Sequence, residues 1–379
     1  MDAYKKTIQE LLAVAGIAME GKAPYDIRVH NPKFFKRVIE EGSLGLGEAY
    51  MDGWWDCEAL DEFFMRILRA NLEKTVKGNF KILWTAFRAR FFNLQTKKLS
   101  KNLIVQHYNV GNDLYEKMLD KNMMYSCGFW ENADNLDEAQ ENKLELICQK
   151  LKLEPGMKVL DIGCGWGGFA AYAAKNHHVE VVGITLSEEQ AKLAKQRCKG
   201  LPVEIRLQDY RDVDEPFDRI LSIGMMEHVG AKNHRAYMEV VNRNLKDNGI
   251  TLLHTIGNNE SFEFTDPWID KYIFPNSLIP SAAQLTKAME GKLLIEDWHN
   301  FGLHYDYTLM AWLSRFKAAW SELRNRYDDR FYRMWEYYLN CCAGSFRARK
   351  NQLWQIVMVK DTFQGDYKAV RTLAGIHSA

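Results

Sequence analysis

The sequence of 379 residues lacks the features of several common protein classes. Its seven cysteines form no Cys-x-x-Cys pair, which opposes a zinc finger or a disulfide scaffold and favours a reducing, cytoplasmic setting. Fifty basic and fifty acidic residues give no net charge, so no nucleic-acid partner is expected and attraction to any anionic surface must be local. No apolar run approaches the roughly eighteen residues that a membrane-spanning helix needs.

From about Pro155 onward, short apolar runs alternate with helical stretches. This alternation is typical of a doubly wound α/β domain whose sheet is parallel at its centre. A helix over 187–198 is predicted from its Ser-Glu-Glu-Gln start. Further helices are predicted over 306–324 and 328–343, and the tail from Asp361 onward is predicted to be peripheral. The predicted strands are 157–162, 179–185, 203–207, 217–224, 250–257, 293–298 and 354–359.

The first hundred residues have no such alternation, which predicts a small, mainly helical N-terminal domain over 1–100 and an α/β domain over 101–379. Residues 1–21 are expected to form an amphipathic helix rather than a signal peptide, because acidic residues interrupt a short apolar core. Residues 74–101 carry eight Lys or Arg and no Asp or Glu, with aromatic residues at helical spacing. Such a segment either binds a membrane surface or packs on the neighbouring domain, and the pattern leaves both open.

A glycine-rich loop, Leu-Asp-Ile-Gly-Cys-Gly-Trp-Gly-Gly at 160–168, follows the first strand of this alternation. Gly163, Gly165 and Gly168 satisfy the Gly-x-Gly-x-x-Gly pattern, so a dinucleotide-dependent oxidoreductase is one interpretation. Two observations oppose it. Asp161 would repel a phosphate but can accept hydrogen bonds from an amino group, and the second strand ends without the acidic residue that binds a ribose.

Several short motifs follow one another along the chain. They are Gly-Leu-Gly-Glu at 45–48, Asp-Gly-Trp-Trp at 52–55, Gln-His-Tyr at 106–108, Gly-Asn-Asp at 111–113, Tyr-Ser-Cys at 125–127, Val-Gly-Ile-Thr-Leu-Ser at 182–187, Glu-His-Val-Gly at 227–230, Leu-His-Thr-Ile at 253–256 and Phe-Arg at 346–347. Together with the glycine loop, they resemble the cyclopropane-fatty-acid synthase family of bacteria, a family of S-adenosylmethionine-dependent methyltransferases. The resemblance extends over nearly the whole chain.

The resemblance implies a Rossmann-like class I methyltransferase domain with a small, mainly helical N-terminal domain. The implied reaction transfers a methyl group from S-adenosylmethionine to the cis double bond of an unsaturated phospholipid acyl chain. A carbocation would follow, and loss of a proton from the new methyl would close the cyclopropane ring, with bound bicarbonate as the base. The implied setting is peripheral, at the inner face of the cytoplasmic membrane, with the phospholipid bilayer as partner and a homodimer as assembly.

The resemblance also implies the site residues. Bicarbonate would be held by the backbone of Ile256 and by Cys127, Glu227, His254 and Tyr305, and no metal is expected. S-adenosylmethionine would be held by Tyr108, Tyr125, Ser126, Gly163, Gly165, Gly167, Thr185, Gln190, Gln208, Asp209 and Tyr210.

Blander interpretations exist for several of these residues. Glu227 could be an ordinary carboxylate at a helix start, His254 a satisfied histidine in a buried strand, and Gln190 a surface residue. Cys342 corresponds to a cysteine once regarded as the family's catalytic thiol. Adjacent Cys341 and Cys342 on a helix more often indicate packing, and no step of the reaction requires a covalent thiol.

An alkene is a poor nucleophile, so the site has to align the sulfonium methyl, exclude water and supply one base. Aromatic faces can stabilise a cation without attacking it, and Tyr125, Phe129, Trp130 and Trp166 are candidates that could also be core residues. Met226 stands where relatives more often have Phe, so another ring would have to take that role.

Two other functions are considered. One is a methyltransferase that acts on a small apolar amine or forms a different fatty-acid product, such as a methyl-branched chain. The other is a membrane-binding protein with an inactive methyltransferase fold, which the intact glycine loop argues against.

Overall fold

The computed structural model describes residues 2–72 and 110–373, which form two compact units. The basic segment 74–101 lies outside the described residues. The first unit consists of the described parts of Met1–Met118 with Phe264–Ser277 and Leu309–Lys350. The second consists of Leu119–Glu263, Leu278–Thr308 and the described part of Asn351–Ala379.

The second unit is built on a seven-stranded sheet. The strands of the described residues are β1 Arg28–Val29, β2 Trp55–Asp56, β3 Lys158–Ile162, β4 Glu180–Thr185, β5 Val203–Leu207, β6 Phe217–Ile223, β7 Leu245–Asn258, β8 Leu294–Asn300 and β9 Asn351–Val359. The order in the large sheet is β5-β4-β3-β6-β7-β9-β8. Pairing is parallel from β5 to β7, and β9 runs antiparallel to β7 and β8. The predicted parallel centre is confirmed.

Helices cover both faces of this sheet. The helices, numbered over the described residues, are α1 Asp2–Val14, α2 Lys33–Met51, α3 Leu60–Arg69, α4 Asn112–Met118, α5 Leu136–Lys150, α6 Gly168–His177, α7 Glu188–Arg197, α8 Met226–Val229, α9 His234–Asn244, α10 Pro267–Tyr272, α11 Ala282–Met289, α12 Leu303–Leu323 and α13 Asp329–Arg347. Val159 packs in the apolar cluster with α5, α6 and α7, whereas Leu160 packs in the cluster with α9 and α11. Neighbouring strand residues point to opposite faces, so both faces of β3 are buried, as in a doubly wound fold.

The first unit is mainly helical, with a small antiparallel pairing of β1 and β2. Helices α3 and α13 approach so closely at Gly344 that a Cβ there would lie only 2.6 Å from the Cβ of Phe64. The ring of Trp268 similarly lies against Gly47. This unit includes residues 264–277 and 309–350, which the sequence-based division placed in the domain over 101–379. The functional division at residue 100 stays a prediction.

The tail from Asp361 to the last described residue is peripheral, as predicted, since it has no helix or strand and only one of its residues is buried, but two contacts attach it to the second unit. Tyr367 is buried and its hydroxyl donates to the carbonyl of Lys150, at 3.1 Å. Arg371 forms an ion pair of 2.6 Å with the buried Asp297. Tyr367 and Arg371 thus attach this mostly polar segment to Lys150 and Asp297 of the second unit. Within residues 2–72 and 110–373, no helix is long and apolar enough to cross a membrane.

The parallel order places the carboxyl ends of β3, β4, β6 and β7 along one edge of the sheet. Gly163 follows β3, Glu227 lies shortly after β6, and His254 lies in β7 opposite Ile223 at the end of β6. Topology therefore brings Gly163, Glu227 and His254 to one edge of the sheet.

Candidate active site

The glycine loop turns sharply between β3 and α6. Gly163, Gly165 and Gly167 have φ angles of +81°, +52° and +79°, a region that other residues rarely adopt. A Cβ at Gly163 would lie 3.1 Å from Met225, but a Cβ at Gly165 would meet no described atom within 4 Å. The loop thus leaves open space beside Gly165, where a ligand can approach the backbone.

Thr185 and Gln190 meet at the carboxyl end of β4. The Thr185 hydroxyl donates to Gln190 Oε1 at 2.9 Å, and the backbone N–H of Ser187 donates to Thr185 Oγ1 at 3.2 Å. Ser187 also accepts from the Gln190 N–H, so it caps α7 as its sequence predicts. Gln190 is therefore tied to the sheet edge, and its amide nitrogen can still donate to a ligand.

Asp209, the expected acceptor for adenine, is engaged by Arg211. Its two carboxylate oxygens accept from the Arg211 guanidinium at 2.9 and 2.6 Å, and this side-chain hydrogen bond lowers the pKa of Asp209. The neighbouring Tyr210 packs on Tyr237 at 5.6 Å between ring centroids, and Gln208 donates to the backbone of Asp212. A role for Asp209 in adenine binding requires Arg211 to share or release the carboxylate, and it stays a prediction.

Glu227 is buried in α8, directly after the turn that follows β6. Its Oε1 accepts the backbone N–H of Ile256 at 2.6 Å, while its Oε2 is buried without a hydrogen-bond partner in the part of the chain that the structure describes. Burial raises the pKa of the Glu227 carboxyl. The backbone N–H of Ile256, which the resemblance implies as a donor to bicarbonate, thus donates to Glu227 instead.

His254 is buried in β7, where strand pairing places it opposite Gln355 of β9. The amide nitrogen of Gln355 lies 3.2 Å from His254 Nδ1. An amide nitrogen can only donate, so in this assignment Nδ1 accepts and the ring proton lies on Nε2. Nε2 is buried and has no hydrogen-bond partner among residues 2–72 and 110–373. Burial, with the charges of Lys143 and Lys150, holds the pKa of His254 well below its usual value, so the ring is neutral.

Cys127 lies next to Thr308, a residue that the motifs do not single out. Its thiol is fully buried, which raises its pKa and keeps it protonated, and Thr308 Oγ1 lies 4.0 Å from the sulfur. The Thr308 oxygen also accepts from the N–H of Gly128 at 3.0 Å and from the indole of Trp130 at 2.9 Å. Tyr305 is buried one turn earlier in α12. Thr308 therefore fixes the segment that carries Cys127.

Rings surround this part of the site. Phe129 lies 5.2 Å from Phe301 and 5.2 Å from His304, measured between centroids, and Phe301 lies 6.1 Å from His254. Burial lowers the pKa of His304 to about 4, and the pKa of the adjacent His299 also falls to about 4. Phe129 and His254 thus contact the same ring, Phe301, whereas Trp130 contacts the exposed Tyr307. Trp166 is buried in the glycine loop. Tyr125 is half-buried immediately before Ser126.

The two remaining predicted site residues are Cys342 and Tyr108. Cys342 lies in α13 of the first unit, whereas the other described site residues belong to the second. Tyr108 lies outside the described residues. Among residues 2–72 and 110–373, no group of three or more His, Cys, Asp and Glu side chains could hold a metal ion.

Sequence reasoning missed three polar residues that support the site: Lys143, Thr308 and Gln355. Each contacts a predicted site residue, namely Ser126, Cys127 and His254 in that order. They lie on other elements, 17, 181 and 101 residues away along the chain. A single polar residue in a helix or strand gives no pattern that would have identified them.

Comparison with known proteins gives consistent matches. Residues 95–356 match the family described as mycolic acid cyclopropane synthetase. The chain is 57% identical over 364 residues to cyclopropane-fatty-acyl-phospholipid synthase of Escherichia coli (strain K12), covering 96% of this chain and 95% of that protein. It is 30% identical over 368 residues to tuberculostearic acid methyltransferase UfaA1 of Mycobacterium tuberculosis (strain ATCC 25618 / H37Rv), covering 91% of this chain and 85% of that protein.

A solved structure gives the same result at the level of the fold. The crystal structure of mycolic acid cyclopropane synthase CmaA1 complexed with SAH and CTAB superposes with a TM-score of 0.63 at 32% identity. The match covers 67% of this chain and 96% of that chain. SAH is S-adenosylhomocysteine, the product that methyl transfer leaves from S-adenosylmethionine.

Proposed function

The chain belongs to the mycolic acid cyclopropane synthetase family and has the class I S-adenosylmethionine-dependent methyltransferase fold, and from this premise we propose that it is a cyclopropane-fatty-acyl-phospholipid synthase. It would transfer a methylene from S-adenosylmethionine to the cis double bond of an unsaturated phospholipid acyl chain. The observation that carries the proposal is one sheet edge that bears both an open glycine loop and the buried Glu227 and His254.

Methyl transfer to an alkene makes a carbocation, and the site suits a cation. The rings of Phe129 and Phe301 present π faces that stabilise positive charge without forming a bond to it. The nearby His254, His299 and His304 are neutral near pH 7, because burial lowers the pKa of each. A protonated imidazole here would repel the cation, so burial of these rings favours the proposed intermediate.

Ring closure needs removal of one proton, and we infer that bicarbonate supplies the base. The residues fit this anion, because Glu227 Oε2 can accept its hydroxyl and His254 Nε2 can donate to its oxygens, and neither atom has another described partner. The hydroxyl of Tyr305 would supply a further donor, whereas the thiol of Cys127 donates to the carbonyl of Gly128 at 3.2 Å and would have to release it to donate to the anion. When bound, bicarbonate would supply a basic oxygen at neutral pH. Glu227 would orient it and increase the negative charge on that oxygen.

We further propose that the protein acts as a homodimer on the surface of the phospholipid bilayer, at the inner face of the cytoplasmic membrane. The name of the Escherichia coli relative supports a phospholipid substrate. The basic and aromatic composition of 74–101 supports contact with anionic lipid.

The reaction is tested with purified protein, S-adenosylmethionine and vesicles of unsaturated phospholipid. We expect each modified acyl chain to gain one CH2 and lose its alkene, with cyclopropane proton signals in the NMR spectrum and formation of S-adenosylhomocysteine. The match to a relative named tuberculostearic acid methyltransferase favours a methyl-branched chain as the second candidate product. A branched product without a ring would support that candidate, and unchanged acyl chains would refute both.

Membrane association is tested by neutralising Arg88, Arg90, Lys97 and Lys98 with glutamine. Each basic residue near an anionic surface contributes about 1 kcal/mol, so we expect the variant to bind phosphatidylserine-containing vesicles at least tenfold more weakly at low salt. The difference should shrink at high salt, because screening weakens the wild-type interaction. Cosedimentation with neutral vesicles is the control. Equal binding of both proteins to the anionic vesicles would assign 74–101 to packing.

A further inference from the structure

Two lysines of α5 are completely buried, which is unusual for this residue. Lys143 and Lys150 both have 0% relative exposure and lie about two helical turns apart. Burial lowers the pKa of each to about 8. Lys150 lies 3.0 Å from His299 and 3.7 Å from the carboxylate of Asp297, which also pairs with Arg371. Lys143 has a different set of partners, at the glycine loop.

Lys143 contacts two residues beside the expected S-adenosylmethionine site, Ser126 and Asp161. Its ammonium donates to Ser126 Oγ at 2.9 Å and interacts electrostatically with Asp120 and Asp161. Asp120 is satisfied, because its two oxygens accept the backbone N–H groups of Asn122 and Met124, both at 2.8 Å. Asp161 differs, since its Oδ2 is buried and lacks a hydrogen-bond partner within the described ranges. An acceptor oxygen is thus available two residues before Gly163.

The charges of this cluster do not balance without a ligand. With both carboxylates ionised and one ammonium, the buried group carries a net charge of −1, and the raised pKa of Asp161, about 7, indicates that a further positive charge is favoured there. Ser126 accepts from Lys143, so its own hydroxyl hydrogen points elsewhere and can donate to an anion. A cation site and an anion donor therefore lie around one lysine. An amino acid, which carries both an ammonium and a carboxylate, matches this pair.

We propose that Lys143 is a positioning residue for the amino-acid end of S-adenosylmethionine, acting through Ser126 and Asp161. The charge of Lys143 opposes the effect of burial on Asp161 and so favours the ionised carboxylate, which can accept from the ligand's ammonium. It also holds Ser126 Oγ as an acceptor, which directs the Ser126 hydroxyl hydrogen toward the ligand's carboxylate. The proposal rests on the proposed function only for the identity of the ligand.

The test compares Lys143→Met with Lys150→Met, a matched change of a fully buried lysine on the same helix. Methionine preserves most of the volume, but removing one partner from a buried group of charges is destabilising, so folding of both variants is checked first by circular dichroism. We measure binding of S-adenosylhomocysteine and of 5′-methylthioadenosine, which lacks the amino-acid end, by calorimetry. Lys143→Met should weaken the binding of S-adenosylhomocysteine at least tenfold and the binding of methylthioadenosine less than twofold. Lys150→Met should change neither more than twofold.

Each other outcome has a defined meaning. Unchanged binding of S-adenosylhomocysteine to Lys143→Met, or an equal loss for both ligands, overturns the proposal, because the first removes Lys143 from recognition and the second gives it a merely structural role. An equal loss in Lys150→Met also overturns it. These measurements use no lipid, so a protein that binds as expected but forms no cyclopropane contradicts the proposed function alone.

A second measurement on the wild-type protein holds even if Lys143→Met does not fold. Burial raises the pKa of Asp161 to about 7, so lowering the pH from 7.5 to 6 protonates the proposed acceptor. Binding of S-adenosylhomocysteine should therefore weaken several-fold, while binding of methylthioadenosine should not. Besides Lys143, the titratable groups that interact with Asp161 are Cys164, Cys198 and Tyr237, whose raised pKa values keep them neutral here. Affinity for S-adenosylhomocysteine that is independent of pH would overturn the proposal.

Discussion

Replacing Glu227 with glutamine is expected to reduce cyclopropane formation by about 10²–10⁴-fold while leaving S-adenosylhomocysteine binding within about twofold of wild type. Glutamine retains an oxygen that can accept the Ile256 N–H, so the local backbone contact survives. What is lost is the negative charge next to the proposed base. The loss should therefore appear in turnover on phospholipid vesicles, and calorimetry should show intact cofactor binding.

The thermal stability of Glu227→Gln separates this loss from misfolding. The folded-state pKa of Glu227 is raised above its usual value, so ionisation of this carboxyl costs stability as the pH rises through that range. Glutamine cannot ionise and avoids this cost. We therefore expect the variant to unfold at the same temperature as wild type or a higher one at pH 7–8.

A matched control for Glu227 is Glu145→Gln. Glu145 is a half-buried carboxylate of α5 that accepts from Tyr172 and His177, both at 3.0 Å. It lies outside the proposed site, so its variant should retain turnover within about twofold. A Glu227→Gln protein as active as this control would remove Glu227 from the mechanism.

The central sheet could be predicted from sequence because each strand is a short apolar run that ends at a turn or a capping residue. The strand predicted at 203–207 has the observed bounds of β5, and the Ser187 cap starts α7 as expected. The strand predicted at 250–257 is longer, since β7 begins at Leu245 and pairs there with Phe217 across a register shift. Its polar first residues hide this extension from hydrophobic periodicity.

The site could be predicted only as far as its motifs reach. The resemblance supplies Glu227 and His254, and the parallel topology explains why residues far apart in sequence come together. It does not supply Gln355, because β9 enters the sheet antiparallel beside β7 and its register is set by tertiary packing. The resemblance also does not show that the Arg211 guanidinium donates to the Asp209 carboxylate, because a contact between residues two positions apart depends on the local turn.

The same limit applies to buried charge. Lys143 lies within a helix whose other charged residues are mostly solvent-accessible, and no period of the sequence identifies it as buried. Its burial becomes understandable only when Asp120, Asp161 and Ser126 are seen around it. Such residues combine a cost in folding with a gain in ligand recognition, and the sequence pattern reports neither.

Replacing His254 with phenylalanine is expected to raise the bicarbonate concentration for half-maximal activity about ten- to a hundredfold, because one hydrogen bond to a charged group contributes about 1.5–3 kcal/mol. Phenylalanine preserves a ring beside Phe301 but cannot donate from the position of Nε2. The measurement is product formation in buffer freed of carbon dioxide, with bicarbonate added back in steps. Wild-type activity should disappear in that buffer and return on addition.

Gln355→Leu tests the cause of the His254 effect. This change keeps the His254 ring and removes only the amide nitrogen that lies 3.2 Å from Nδ1 and fixes the tautomer of the ring. We therefore expect the bicarbonate concentration for half-maximal activity to rise a few-fold. If His254 Nε2 donates to bicarbonate, the bicarbonate concentration for half-maximal activity should be highest in His254→Phe, intermediate in Gln355→Leu and lowest in wild type. Half-maximal activity at the same bicarbonate concentration in His254→Phe and wild type would show that His254 does not hold the anion. Wild-type turnover that persists without bicarbonate would require another base for ring closure.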